Sequence, residues 1–189
     1  MDLINTETEL EEYLQTNTLD QVDEHGYTPL IYACFYARED IALAMLEHGP
    51  DACALSHVGG IRRMSALTAT MEYINPYHTT YNDVECRKIN PVIMQILSFG
   101  PEACALNHIY YLDFTVLQLA CVNGSGEVAL EILRFGSEAC NMYYETCRGN
   151  TVLYWAKREG LMDVVERIEE LMIEDAEQLP EPVCKGQMN

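Results

Sequence analysis

The sequence predicts an all-α stack of four helix–turn–helix units behind a short N-terminal helix. Two recurrences and their spacing carry that reading. The first is a hydroxyl residue followed by Leu two positions on and a small residue three further: Thr28–Ala33, Ser65–Thr70, Thr115–Ala120 and Thr151–Ala156. The second lies downstream in three units: Met45-Leu-Glu-His-Gly-Pro-Asp-Ala-Cys53, Ile96-Leu-Ser-Phe-Gly-Pro-Glu-Ala-Cys104 and Ile132-Leu-Arg-Phe-Gly-Ser-Glu-Ala-Cys140. The spacing is the third: Thr28 to Gly49 and Thr115 to Gly136 both measure 21 residues.

Each element follows in order. Thr8-Glu-Leu-Glu11 has the form of a capping box and is expected to open a helix to about Gln15, its acidic face outward. In the repeated units Ser or Thr is a good helix N-cap, and Leu and the small residue share one helical face. Pro29 sits where a helix start tolerates proline. The second helix of each unit should stop at Gly49, Gly100 or Gly136, residues suited to the left-handed position past a helix end. Ser65 to Gly100 measures 35 residues, so the second unit carries fourteen extra ones, about 74–87, where Pro76 and a polar run argue for a loop. In the last unit Glu169 stands where Leu46, Leu97 and Leu133 stand earlier, which gives a terminal repeat the polar outer face it needs. The predicted division is a capping helix over 1–22, four repeats at about 23–55, 56–106, 107–142 and 143–173, and a tail over 174–189. That tail contains two prolines and has little to bury, so it is expected to be disordered.

Gly26-Tyr-Thr-Pro-Leu-Ile-Tyr-Ala33, followed by Ile41, Met45, Leu46, Gly49, Pro50 and Asp51, resembles the ankyrin repeat. The resemblance runs over roughly 22–173. It implies a β-turn finger ahead of each antiparallel helix pair. The fold class is then an all-α, ankyrin-like helical repeat solenoid with long β-turn/hairpin fingers. The family's proline after Thr is present only as Pro29. Its His is replaced by Ile31, Thr68, Gln118 and Tyr154, and its Asn near the repeat end by Cys53, Cys104 and Cys140.

Composition narrows the function. With 49% hydrophobic residues, the 189-residue chain can bury one core. No apolar run nears the roughly 18–20 residues a membrane span needs, and Met1–Asn5 does not resemble a secretory leader. An intracellular setting, a cytosol or nucleus, is the expectation. Eight cysteines without any Cys-x-x-Cys pair read as free thiols, and five of them hold repeat-equivalent, stacked positions that do not converge as metal ligands do. Five histidines lack metal or triad spacing, and Gly124-Ser-Gly126 is a helix–helix turn. No enzyme activity, cofactor or metal is expected. Eleven Lys+Arg against thirty Asp+Glu leave a charge of −19, which disfavours direct nucleic-acid or membrane binding and would steer a basic partner inward.

The function expected is therefore protein binding, to a partner with a basic patch, through the concave face and finger tips. The alternative is an acidic mimic of nucleic acid that fills the site of a DNA- or RNA-binding protein. The resemblance implies contact positions in the fingers and after the first helix of each unit. They are Glu24, His25, Tyr27, Phe35 and Tyr36; Arg62, Arg63, Met64, Glu72 and Tyr73; Tyr110, Tyr111, Asp113, Phe114, Val122 and Asn123; and Tyr143, Tyr144, Arg148, Asn150, Arg158 and Glu159. Tyr77, His78 and Tyr81 of the insertion could extend them. Tyrosine suits such a role because it buries much area at low entropy cost and keeps a polar handle.

Overall fold

A computed structural model describes residues 4–73, 90–110 and 113–178. The expected insertion at 74–87, with Tyr77, His78 and Tyr81, lies outside them, as do Tyr111 and the tail beyond 178.

Among the described residues the helices are α1 (Glu7–Leu14), α2 (Pro29–Phe35), α3 (Glu39–Leu46), α4 (Ala66–Tyr73), α5 (Asn90–Ser98), α6 (Val116–Val122), α7 (Gly126–Leu133), α8 (Val152–Arg158) and α9 (Met162–Gln178). They form two layers. In the inner layer α2 packs on α4, α4 on α6 and α6 on α8. In the outer layer α1 packs on α3, α3 on α5, α5 on α7 and α7 on α9. Rungs join the layers within each unit: α2 to α3, α4 to α5, α6 to α7 and α8 to α9. Each unit touches its neighbours, and α1 closes the outer layer as a half-unit cap. The chain is an all-α repeat solenoid, as the recurrences predicted.

The repeated residues do the work their spacing implied. Thr28, Thr115 and Thr151 each accept a hydrogen bond from the backbone N–H three residues on, satisfying one of the unpaired donors of the helix start. Ser65 does the same for Thr68. Leu30, Leu67 and Leu117 are wholly buried at equivalent places, and Met45, Ile96, Ile132 and Ile168 face them from the outer layer. The second helices end at Gly49, Gly100 and Gly136 with φ of 92°, 92° and 87°. Glu169 is exposed, and Lys157 Nζ lies 3.0 Å from it.

Cysteine replaces asparagine without leaving the turn unbonded. The Cys53 thiol donates to the Met45 carbonyl at 2.8 Å, Cys104 to Gly100 at 3.0 Å and Cys140 to Gly136 at 3.1 Å. Burial pushes the Cys53, Cys104 and Cys140 thiols up to about 11. They stay protonated, which keeps each one a donor.

Two expectations about the ends need correction. The N-cap of α1 is Thr6, not Thr8: its hydroxyl accepts from Glu9 N–H, while the Glu9 carboxylate accepts from Asn5 N–H at 2.6 Å. Starting two residues earlier adds half a turn ahead of Leu10, which is buried with Ile4. At the other end α9 runs on to Gln178, so residues 174–178 are helical and not a disordered tail. Arg167 reaches Glu174 at 3.1 Å and Tyr143 donates to Asp175 at 2.6 Å, which tie down the added turn.

Candidate protein-binding face

The fingers are built on one frame. Two residues before each capping hydroxyl stands a residue in the left-handed region: Gly26, Arg63, Asp113 and Gly149, with φ of 85°, 50°, 65° and 75°. Each following finger bonds to that residue from one equivalent position, four beyond the repeated cysteine. His57 Nε2 donates to the Gly26 carbonyl at 3.0 Å, His108 Nε2 to the Arg63 carbonyl at 2.6 Å, and the Tyr144 hydroxyl to the Asp113 carboxylate. Cys147 N–H adds a second bond to Asp113. Burial holds His108 below the usual histidine range, so its imidazole is neutral with Nε2 as the donor. This ladder engages both His57 and His108.

Among the described residues the third finger alone forms a ribbon, β1 (Ile109–Tyr110) paired antiparallel with β2 (Phe114–Thr115). The second has a single bridge from Gly59 to Met64. Between the first two fingers the backbones come very close. A Cβ on Gly60 would lie 2.3 Å from the Tyr27 ring, and Gly60 itself has φ of 71°.

Helical periodicity brings the residues four, seven and eight places after the capping hydroxyl to the finger side. At the N-terminal end these are Tyr32, Phe35 and Tyr36. The Tyr32 and Tyr36 rings are parallel at 6.4 Å, and Phe35 meets Tyr36 edge-on at 5.2 Å. Arg62, from the second finger, lies 5.9 Å above the Phe35 ring and bonds Glu72 at 2.7 Å. The finger tip is thus folded onto the inner layer. Tyr32 donates to Asp23 at 2.7 Å, and burial pushes its hydroxyl up to about 12. Burial would raise the Asp23 carboxyl, but bonds from Tyr27 N–H, the Tyr32 hydroxyl and His25 N–H hold it below its ordinary value.

At the C-terminal end Trp155 takes the place of Tyr32. Phe114 meets it edge-on at 5.5 Å, Tyr154 at 5.1 Å, and Arg158 lies 5.1 Å from its ring. Between the clusters Asn123 donates to the Met71 carbonyl at 2.7 Å. Its own Oδ1, Glu72 Oε2 and Trp155 Nε1 are buried without a partner among the described residues.

The expected contact residues divide accordingly. Glu24, His25, Tyr36, Arg62, Arg63, Arg148 and Arg158 are exposed, and Phe35, Phe114 and Asn123 are partly so. Tyr27 is a half-buried strut against Gly60, and Tyr144 belongs to the ladder. Tyr110 must be corrected: only 3% exposed, it is part of the core, because the ribbon turns alternate residues inward. Met64, in the isolated bridge to Gly59, is also buried, at 2%. Tyr143 is exposed, but its hydroxyl is engaged with Asp175 on α9, apart from the finger cluster. The side chain of Tyr73 lies outside the described residues.

Sequence reasoning passed over three residues on this face. Tyr32 and Trp155 were readable from the same periodicity that picked out Phe35 and Arg158. Ile61, at the tip of the second finger and 98% exposed, had no signal except its place between a glycine pair and two arginines.

Among the described residues no helix is long and apolar enough to cross a membrane. Residues 25–54 match a family model described as the ankyrin repeat. No curated protein matches the chain. The first unit is thus matched directly, and the other three repeat its caps, stops, layers and fingers, which makes the chain similar to the ankyrin repeat family.

Proposed function

We propose that the chain is a protein-binding module that takes its partner on the finger side of the inner layer. Stacked repeats generally present one extended surface to a partner. The observation that carries the reading is a contiguous exposed patch. Ile61 stands 98% exposed beside Arg62, Arg62 covers Phe35, and Tyr36 at 49% exposure adjoins Phe35. Arginine and tyrosine, here beside an exposed aliphatic tip, are residues in which binding hot spots are enriched. The ladder between fingers supports the reading too, since a preformed surface loses little entropy on binding.

The −19 charge favours approach by a basic protein, while the exposed Arg63 and Arg148 on this face would take acceptor groups in the contact itself. The test is affinity capture with mass spectrometry, followed by affinity measurement on the captured partner. Replacing Ile61 by Ser together with Tyr36 by Ala should weaken binding at least about tenfold. An unchanged affinity would remove this face from the proposal. The association rate should fall as salt rises, and a flat response would remove the electrostatic part.

A further inference from the structure

The second feature that asks for a ligand is on the opposite layer. The groove between α1 and α3 encloses about 520 Å³, within the roughly 300–1,000 Å³ range of ligand-binding clefts. Its floor is apolar: Leu10 and Leu14 from α1, Leu43 and Ala44 from α3. Leu14, Leu43 and Ala44 are only half-buried, so the floor is in reach of solvent.

Both walls are acidic by helical register. Glu7 and Glu11 are one turn apart on α1, flanking Leu10. Asp40 and Glu47 are two turns apart along α3, flanking Leu43 and Ala44. All four are exposed, and none has a cationic partner among the described residues. Like charges one turn apart, as Glu7 and Glu11 are, destabilise a helix, so the α1 wall carries a cost that a cation would relieve. Residues 1–61 contain twelve Asp+Glu and a single Lys or Arg, Arg38, while His48 also lines the groove beside Glu47. A second copy, with the same acidic rim, would be repelled.

We infer that this groove takes a basic amphipathic helix of about two turns from another protein, its apolar stripe on the leucine floor and its Lys/Arg edges against the two acidic walls. The length follows from the groove: α1 and α3 are each eight residues, about 12 Å at 1.5 Å per residue. The mode is helix-in-groove recognition, with anchors at i, i+3, i+4 and i+7. It uses a different surface from the finger-side patch and does not depend on it.

The probe is a fluorescent peptide of about 14 residues made only of Leu and Lys, with Leu at the helical i, i+3, i+4, i+7 positions. Binding to the full chain is read by anisotropy. The double variant Glu11→Gln/Asp40→Gln and the single Leu43→Gln should each weaken it about tenfold. A control with the same charge change on α9, Glu166→Gln/Glu177→Gln, should stay within about twofold. A peptide with Ser for Leu should bind at least about tenfold more weakly. Equal loss from the α9 control would overturn the inference in favour of diffuse polycation attraction, and so would retained affinity in Leu43→Gln. Because Leu43→Gln could disturb packing, amide shifts of the wild-type protein on titration give a second readout. Shifts clustered at 7–14 and 39–48 support the groove; shifts clustered on the fingers overturn it. The Ile61→Ser/Tyr36→Ala variant should bind this peptide like the wild type, so the two proposals fail separately.

Discussion

Three residues after its capping threonine, Gln118 bonds in three directions. It accepts from Thr115 N–H at 3.0 Å and donates to the Tyr144 and Asn150 carbonyls at 3.0 and 3.2 Å, tying α6 to the fourth finger. It is only 1% exposed, so its removal would strand buried carbonyls. Gln118→Ala should cost about 1–3 kcal/mol in urea unfolding. Asp23 organises the first finger in the same manner, from a partly exposed position. Its carboxyl is held below its ordinary value, so the stability it contributes is complete above about pH 4, the range where an unfolded aspartate is ionised, and fades as pH falls through the lower folded value. The stability gap between wild type and Asp23→Asn should be flat from neutral pH to about pH 5 and narrow below about pH 4. A gap that widened in acid would contradict this assignment.

Between the two helices of a unit the chain turns through one left-handed residue, and an N–H beyond it closes back on the first helix. The closing bonds are Arg38 to Ala33 at 2.8 Å, Ser125 to Ala120 at 2.9 Å and Leu161 to Ala156 at 2.9 Å. The left-handed residue is Gly124 or Gly160 in the later units but Ala37, at φ 52°, in the first. Ala37→Gly should therefore stabilise the protein by about 0.5–1 kcal/mol, the relief of Cβ strain less the added freedom of the unfolded chain. No change in the unfolding midpoint would mean that the strain is relieved elsewhere. The extension of α9 depends on neighbours: Tyr143→Phe removes the bond to Asp175, and hydrogen exchange should speed up at 172–178 while the inner helices keep their protection. Neither the Thr6 cap nor the extra turn of α9 was legible in sequence. Thr6 and Thr8 each precede a Glu by three residues, so the local pattern is degenerate, and the α9 extension is decided by the Tyr143 hydroxyl arriving from another unit.

Over the whole stack, stability is a sum of unit and neighbour terms, so position along the stack sets how far a lesion spreads. Leu117 is wholly buried in α6, with neighbours on both sides in the inner layer. Leu117→Ala should cost about 2–5 kcal/mol and lower the unfolding of the entire protein. Leu171→Ala, in the terminal helix α9, should mainly loosen that helix as read by hydrogen exchange. Charge also divides at this scale. Four arginines gather on the finger side, while the α1/α3 side is almost purely acidic. A net charge of −19 describes neither surface by itself.

The sequence alone determined the repeat: its unit, register, caps, glycine stops and interrupted second copy. These are short-range matters, in which a hydroxyl, a glycine or an apolar period acts on its own helix, and so they can be read locally. The layers followed, because each unit must bury its apolar face on the next. Which residues of the fingers are exposed was settled only by tertiary structure. Tyr110 reads like Tyr36 in sequence, yet ribbon pairing buries one while the last turn of α2 exposes the other at 49%. The bonds of His57, His108 and Tyr144 are not legible in sequence because the atoms they reach, Gly26 O, Arg63 O and the Asp113 carboxylate, lie 31 to 45 residues away. Such partners exist only after the units stack, and for that reason the exposure of the finger residues had to come from the fold.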